Sequence, residues 1–241
     1  MIAVDCKLSC IGYSNQVILK DIEFCLEAGQ HLGILGPSGI GKSTILRVIS
    51  GFHEEFKGDC HVFGRDVQKA DLSLLRQDMS FLFQKSPLLE DMSIFENLLL
   101  SLLYLPGNQQ EKSKNIMTIL RKLQLDHVAD HFPDQLSGGM RRRVVLAAAV
   151  LRKPKLLLCD EPFTGQDPIT KASLVNMLSE LGREFGFAMI MVSHDVSETL
   201  SLCHQSLVLM DGTVKARGQS AEILRCAEPE VRAFLDGALH V

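Results

Sequence analysis

The sequence has no tryptophan, only two tyrosines and a formal net charge of only −4 at pH 7. Nothing in this charge balance favours nucleic acid as a partner. Long apolar runs are also missing, because the run 144–151 falls well short of the roughly 18 residues that span a bilayer. Asp5 and Lys7 occur near the start of the chain, where a secretory signal would be apolar. We therefore expect any role at a membrane to depend on a partner protein.

The seven cysteines include no C-x-x-C pair, and no histidines accompany them at the spacing of a zinc site. A chain of 241 residues needs no disulfides to stabilise its core. We therefore expect reduced, mostly buried thiols, which favour the cytosol. The hydrophobic content of 46% favours a compact globule, and the length suits one α/β domain with a subdomain.

A glycine-rich loop lies between a short apolar run and a helical pattern. The apolar run, 31–35, predicts a strand, and apolar residues at helical spacing follow over 42–50, with Gly51 as the predicted stop. This order of strand, loop and helix makes a phosphate-loop match strong. The loop has the complete G-x-x-x-x-G-K-[ST] pattern and consists of Gly36, Pro37, Ser38, Gly39, Ile40, Gly41, Lys42, Ser43 and Thr44.

This loop predicts a nucleotide-binding site. Its glycines allow backbone N–H groups to surround a polyphosphate, and the following helix directs its positive end at the same anion. Lys42 would neutralise the β- and γ-phosphates, Ser43 would bind Mg²⁺, and Thr44 would add a hydroxyl contact.

A pair of acidic residues follows a second buried run. The apolar run 155–160 predicts a strand that ends in Asp160, and Glu161 comes next. Asp160 is placed to hold Mg²⁺ through its water shell, and Glu161 can polarise an attacking water as a general base. Such a pair alone is typical of a surface turn, but beside a matching phosphate loop it favours hydrolysis.

Strand patterns are confined to the two ends of the chain. Between 93 and 152 helical patterns replace them, broken at 105–108 and 133–134 into three helices. This block predicts a helical insertion into an α/β chain. The other predicted strands are 2–11, 16–26, 58–63, 79–83, 188–193 and 206–210, and two short helices are predicted near 220–225 and 230–235.

The stretch 136–140, with the sequence LSGGM, lies inside the helical block. Ser137 offers a hydroxyl, Gly138 and Gly139 offer bare N–H groups, and a helix begins at once, which predicts a second anion-binding surface. An ordinary helix N-cap at Ser137 is a compatible alternative. We interpret the basic run 141–143 as a solvated or subunit-facing surface of that helix.

Together, the segments 36–44, 136–140 and 156–162 resemble those of ATP-binding cassette (ABC) ATPases, over nearly the whole chain. The resemblance implies an α/β P-loop NTPase fold with an N-terminal antiparallel β subdomain and a helical insertion subdomain. It implies one ABC domain over 1–241, in which 93–152 form the helical subdomain. The RecA-like core, with the β subdomain and the terminal helices, would then comprise 1–92 and 153–241.

The resemblance also implies roles for residues that are weak signals alone. Gln84 resembles the Q-loop glutamine, which touches Mg²⁺ and water, and His194 resembles the switch histidine, which holds the γ-phosphate. Tyr13 lies where an aromatic ring stacks on adenine, and Asp167 resembles the D-loop aspartate, which contacts the facing subunit. Ser137 and the two glycines that follow it would close over the ATP of a second copy. Two chains would then hold two ATP molecules head to tail.

Two departures from the general family pattern resemble one branch. The LSGGM stretch ends in Met140 where the family has glutamine, and 165–170 read GQDPIT. Both are similar to the ATPase subunits of Mla-type (MCE-associated) phospholipid transporters. The resemblance implies a permease, an MCE-domain protein and a STAS-domain protein as partners, and no nucleic acid. Since no transit peptide precedes the core, we expect a bacterial chain on the cytoplasmic face of the inner membrane, held there by the permease.

Two alternatives remain open. The chain could serve another ABC importer or exporter, which the dependence of ATP hydrolysis on lipid would distinguish. It could also be a soluble ABC ATPase that acts on a protein assembly, on translation or on DNA. The single cassette and the lack of sustained heptads count against that second alternative.

Overall fold

The computed structural model describes residues 1–14, 16–83 and 88–239. In this part of the chain, ten strands and nine α-helices form two sheets with helices packed on them. The strands are β1 (Ile2–Tyr13), β2 (Gln16–Glu27), β3 (His31–Leu35), β4 (Phe56–Val62), β5 (Arg65–Asp66), β6 (Met79–Leu82), β7 (Leu156–Asp160), β8 (Ala188–Ser193), β9 (Gln205–Met210) and β10 (Thr213–Gln219). The helices are α1 (Lys42–Ile49), α2 (Leu72–Gln77), α3 (Ile94–Ser101), α4 (Gln109–Lys122), α5 (Gly138–Leu151), α6 (Pro168–Phe185), α7 (Val196–Leu202), α8 (Ser220–Ile223) and α9 (Pro229–Leu239).

The larger sheet has the strand order β10-β9-β3-β8-β7-β6. Five of these strands run parallel, and only β10 is antiparallel to its neighbour β9. The hairpin between β9 and β10 turns at Asp211 and Gly212, both at positive φ, as the Asp-Gly pair predicts. Strands β3 and β8 are buried along their whole length, as helices on both faces require. The carboxyl ends of β3, β7 and β8 therefore meet at one edge of the sheet.

The smaller sheet is antiparallel, with the order β2-β1-β4-β5. Its inward side chains and the apolar side of α1 share one core with one face of the larger sheet. Ile45, Val48 and Ile49 of α1 are fully buried in this core. Helix α1 is thus fixed between two sheets, which holds the phosphate loop at its N-terminus in place.

Helices α3, α4 and α5 pack together over the other face of the larger sheet. The first two begin with complete capping boxes, Ser93 with Glu96 and Asn108 with Glu111. Leu98, Ile116 and Val144 are fully buried between the helices. The predicted block of three helices is confirmed, and two short 3-10 turns, Asp126–Val128 and Pro133–Gln135, join α4 to α5.

The predicted strands are found, with most ends shifted by a few residues, and the bounds predicted for β3 and β8 match. Helix α2 was not predicted, because only Leu75 of its residues is buried and no apolar periodicity marks it. The Asp71 side chain caps it by accepting a hydrogen bond from Ser73 N at 2.8 Å. In 1–14, 16–83 and 88–239, no helix is long and apolar enough to cross a membrane. All seven cysteines are free, and four are buried, as expected.

Candidate nucleotide site

The phosphate loop connects the buried end of β3 to the first turn of α1. Gly39 and Gly41 adopt φ values of +82° and +106°, which side chains disfavour. A Cβ on Gly36 would lie 2.5 Å from the carbonyl oxygen of Leu209, so only glycine fits there. Beside the loop is a pocket of about 440 Å³, lined by Ser38, Gly39, Gly41, Lys42, Ser43, Thr44, Glu161, Thr164 and His194.

The Lys42 side chain is 5% exposed and lies along the base of the loop. Its Nζ donates to the carbonyl oxygens of Gly36 at 2.8 Å and Pro37 at 3.0 Å, and lies 3.4 Å from Glu161 Oε1. Burial lowers the pKa of the Lys42 ammonium, while the charges of Glu161 and Asp160 oppose that shift. A buried cation at a helix N-terminus is suited to an anion such as phosphate.

Ser43, which lines the pocket, is in contact with Asp160 at the end of β7. Ser43 Oγ donates a 2.7 Å hydrogen bond to Asp160 Oδ1, although 117 positions separate the two residues. Both groups are oxygen donors, which Mg²⁺ prefers, and each belongs to a different rigid element, α1 and β7. The residues present therefore fit a magnesium ion held between them directly or through water.

Glu161 follows β7 in a left-handed conformation, with φ +48°. Such a conformation is uncommon for a residue with a side chain and is concentrated at functional sites. Its Oε2 accepts hydrogen bonds from Ser193 Oγ and Thr164 Oγ1, both at 3.2 Å, and lies 2.9 Å from His194 Nδ1. Burial raises the pKa of the Glu161 carboxyl, but the contacts with His194 and Lys42 outweigh it, so the pKa is lowered overall. The carboxylate is thus ionised and held in one position.

His194 lies immediately after β8, with its side chain 43% exposed at the mouth of the pocket. The next residue, Asp195, forms an ion pair with Lys171 of α6. Thr199 Oγ1 donates to the Asp195 carbonyl oxygen at 2.7 Å and fixes the start of α7. The structure therefore brings Lys42, Ser43, Asp160, Glu161 and His194 together, and their roles in catalysis and metal binding stay predictions.

The LSGGM stretch lies elsewhere on the chain's surface. Ser137 caps α5 and accepts a hydrogen bond from Met140 N at 3.2 Å, and a Cβ on Gly138 would meet nothing within 4 Å. None of the described residues that line the phosphate pocket belongs to 136–140. The stretch 136–140 is therefore separate from the phosphate pocket of its own chain.

Asp167 begins α6 next to that surface. Its Oδ1 accepts hydrogen bonds from the N–H groups of Ile169 and Thr170, both at 3.0 Å. A Cβ on Gly139 would lie 2.9 Å from Thr170 Cγ2, so the first turns of α5 and α6 are in close contact. Asp167 and the LSGGM stretch (hereafter the signature stretch) thus lie close together on the surface.

Tyr13 lies at the end of β1, outside the lining of the phosphate pocket. Its hydroxyl accepts a hydrogen bond from Arg47 Nη1 at 3.3 Å, and its ring centroid is 4.3 Å from that of His53. Gln84 lies outside the described residues, so its assignment to Mg²⁺ and catalysis remains a prediction. Phe83, immediately before it, is 44% exposed.

The interpretation of 141–143 as a solvated or subunit-facing surface is wrong for Arg142, which is only 6% exposed. Its guanidinium donates to the main-chain carbonyl oxygens of Pro162, Glu161 and Phe83. Three consecutive arginines suggested a surface helix face. The signal was nevertheless present, because Arg142 precedes the buried Leu146 by one helical turn.

The comparisons with known proteins agree with this geometry. The family model described as "ABC transporter" matches residues 19–164. The phospholipid transport ATP-binding protein MlaF of Escherichia coli K12 is 38% identical over 229 residues, covering 92% of this chain and 84% of the relative. The spermidine/putrescine import protein PotA of Mannheimia succiniciproducens is 36% identical over 212 residues, covering 88% of this chain and 56% of the relative.

Two solved structures are similar over most of their length. The cbiO1 subunit of Clostridium perfringens has a TM-score of 0.86 at 24% identity, covering 99% of this chain and 96% of that one. The ATP-binding cassette MJ0796, solved as a dimer with ADP and Pi, has a TM-score of 0.79 at 27% identity, covering 91% and 99%. The fold is that of a P-loop NTPase, and the chain belongs to the ABC transporter family as an ATP-binding subunit with ATPase chemistry.

Proposed function

We propose that this chain is the ATPase subunit of an Mla-type phospholipid transporter in a bacterial envelope. The support for phospholipid as the cargo is the GQDPIT stretch, Met140 and the 38% identity to MlaF. Identities of 36% to PotA and 34% to the sulfate/thiosulfate import protein CysA of Yersinia pseudotuberculosis make another importer the alternative. The observation that carries the ATPase role is the hydrogen-bonded Glu161 carboxyl group, which lies 3.4 Å from Lys42 Nζ beside the phosphate loop.

In this proposal each residue of the pocket has one role. Lys42 and the loop N–H groups bind the β- and γ-phosphates, and Glu161 orients and deprotonates the attacking water. His194, in contact with Glu161, holds the γ-phosphate from the pocket mouth. Ser43 and Asp160 would hold Mg²⁺, with Gln84 as a further ligand, and the ion would neutralise charge that develops on the phosphate oxygens. Tyr13 supplies the stacking surface for adenine.

The signature face completes the site of a second copy. Ser137, Gly138 and Gly139 lie outside the phosphate pocket of their own chain and offer the N-terminus of α5 to an anion. Asp167 lies beside them. We expect two chains to associate head to tail over two ATP molecules, as the dimeric form of the MJ0796 relative suggests.

Closure of this dimer would act on a membrane permease. Phe83 and Phe52 are 44% and 59% exposed, and the Phe81 ring lies between them, with centroids 5.1 Å and 6.0 Å away. Exposed aromatic clusters of this kind are typical of interaction sites. We propose that the permease docks near this cluster and the helical insertion, so that the chain is peripheral to the cytoplasmic face of the inner membrane. Gln84, which follows Phe83 in the sequence, is proposed to take part in this contact. MCE-domain and STAS-domain proteins would complete the complex, without nucleic acid.

The catalytic assignment is tested by Glu161→Gln in the full chain, with Glu198→Gln of α7 as the control for a carboxylate-to-amide change. We expect the Glu161 variant to bind ATP and to lose turnover by about 10²–10⁴-fold, the usual contribution of a general base. The control should hydrolyse ATP like the wild type. Turnover near wild type in Glu161→Gln would remove Glu161 from the role of base.

The phospholipid assignment is tested by affinity purification of the chain from membranes, followed by mass spectrometry of the bound proteins and lipids. Co-purification of a permease with an MCE-domain protein and phospholipid would support the proposal. A permease with a solute-binding protein would instead identify a small-solute importer. A soluble pool without any permease would favour a soluble ABC ATPase.

A further inference from the structure

Arg142 forms a junction between three separate segments. Its Nε donates to the Pro162 carbonyl at 2.6 Å and its Nη2 to the Glu161 carbonyl at 3.1 Å, while Nη1 donates to the Phe83 carbonyl. The donor belongs to the second turn of α5, directly after the signature stretch. The acceptors belong to the turn after β7 and to the end of β6. One planar guanidinium thus connects α5 to two segments of the core, the turn after β7 and the residue after β6.

The burial of this cation needs an explanation beyond packing. Burial lowers the pKa of the Arg142 guanidinium, and the nearby charge of Asp160 only partly opposes this. Burying a charge is costly, and an apolar residue of similar volume often stabilises such a position better. An arginine provides what an apolar side chain cannot, namely several donors in a fixed planar array.

One of those donors reaches the carbonyl of Glu161, a residue in an unfavourable backbone conformation. Glu161 has φ +48°, and its N–H donates to the Val192 carbonyl at 2.9 Å. Its own carbonyl accepts from Arg142. Both main-chain polar groups of Glu161 are therefore paired, the N–H with β8 and the carbonyl with α5, and the side chain is directed at Lys42 and His194.

We infer that Arg142 is a positioning residue, which holds the main chain of Glu161 in its left-handed conformation and makes that conformation depend on α5. This inference rests on the proposed role of Glu161 as the base. Displacement of α5 from the core would leave the carbonyls of Glu161, Pro162 and Phe83 without this donor. Glu161 would then relax from φ +48°, and hydrolysis would slow by roughly 10²-fold, the cost of a misplaced catalytic group. The packing of α5 on the core thereby controls the conformation of Glu161 within the same chain.

The test compares Arg142→Met with Arg76→Met in the full chain. Arg76 is a matched control, because it also joins two segments through main-chain carbonyls, those of Ser50 and Gly51, both at 3.0 Å. A misplaced catalytic group costs roughly 10²-fold in rate. We expect kcat of Arg142→Met to fall by about that factor, with KM and ATP affinity within about twofold of wild type. Arg76→Met should keep the wild-type kcat.

A cycle with Glu161→Gln separates positioning from a general structural role. If Arg142 acts through Glu161, Arg142→Met should cause no further loss of kcat in the Glu161→Gln background. An equal loss in both backgrounds would overturn the inference. If Arg142→Met kept the wild-type kcat while Glu161→Gln was inactive, the inference about Arg142 would be overturned and the proposed role of Glu161 as the base would stand. Wild-type turnover in Glu161→Gln would instead overturn the proposed base.

Arg142→Lys keeps the test decisive if the methionine variant does not fold. Lysine retains the charge and the long stem but lacks the planar array of donors, so it cannot bind three carbonyls in the same way. We expect it to fold and bind ATP like the wild type, with a clearly reduced kcat. A lysine variant with wild-type kcat would show that the charge alone is sufficient and would contradict the inference.

Discussion

Ser43 Oγ donates a 2.7 Å hydrogen bond to Asp160 Oδ1, joining the first turn of α1 to the last residue of β7. The two residues are 117 positions apart, so only the parallel sheet brings them together. Two oxygen donors at this distance provide a preformed place for a hard divalent cation. The fold of the parallel sheet therefore brings both oxygen donors to the same place beside the phosphate loop.

Asp160→Asn should weaken Mg²⁺-dependent ATP binding by about 10–100-fold, the usual cost of losing an outer-sphere metal partner. The amide keeps the oxygen and removes the charge, so ATP binding measured in EDTA should not change. Titration calorimetry with Mg²⁺ and with EDTA distinguishes a loss of Mg²⁺ binding from a loss of ATP binding itself. Asp59→Asn, an exposed residue of β4, is the control. An equal loss of affinity in EDTA would indicate damage to the pocket rather than to the ion site.

Ser137→Ala should lower the free energy of unfolding by about 1 kcal/mol, because it removes the cap of α5. It should also abolish ATP-dependent association. Asn108→Ala, which removes the cap of α4, should lower stability by a similar amount without affecting association. Urea unfolding and light scattering measure the two effects. If both variants associate like the wild type, Ser137 serves only as a cap.

The two glycines of the signature should respond differently to alanine. A Cβ on Gly139 would lie 2.9 Å from Thr170 Cγ2, so Gly139→Ala should destabilise the fold by about 1–3 kcal/mol through overpacking. Thr170→Ser, which removes that methyl group, should restore part of the loss. A Cβ on Gly138 meets nothing within 4 Å, so Gly138→Ala should keep full stability and lose only ATP-dependent association. Equal destabilisation by both alanines would contradict this account.

Protonation of the buried His31 should lower the free energy of unfolding in mild acid. Burial lowers the pKa of its imidazole, partly opposed by the hydrogen bond with the Leu202 carbonyl at 3.0 Å, while the nearby His204 lowers it further. A lowered pKa in the folded state contributes stability above the unfolded value of about 6.5, and this is lost as the pH falls through the folded pKa. Urea unfolding at pH 7.5 and 5.5 should therefore show a smaller difference for His31→Asn than for the wild type. His127→Asn, at an exposed position, should retain the wild-type difference.

Sequence patterns predicted the elements that are buried on both sides. The bounds of β3 and β8 were predicted correctly, because a short continuous apolar run between turns is typical of a strand that is buried on both faces. Helix α2 was missed, since it buries only Leu75 and is held by the Asp71 cap. Periodicity gives no signal for an element of that kind.

The sequence predicted the part of the site that consists of local motifs. The positions of Lys42, Ser43 and Glu161 in one pocket follow from strand ends that share an edge of the sheet. The conformation of Glu161 did not follow, because it depends on the pairing of β7 with β8 and on a donor from α5. Arg142 was interpreted wrongly for a related reason. Its role depends on which side of α5 faces the core, and the run of three arginines outweighed the helical spacing between Arg142 and the buried Leu146.

The most direct test of the account is the mass of Glu161→Gln in solution, measured by light scattering with Mg²⁺ and either ATP or ADP. We predict a particle of twice the 26.7 kDa chain with ATP, holding one ATP per chain, and a single chain with ADP. Adding Gly138→Ala to this variant should abolish the ATP-bound dimer without preventing ATP binding. A single chain of 26.7 kDa with ATP bound would contradict the account, because the signature face would then have no nucleotide to close over.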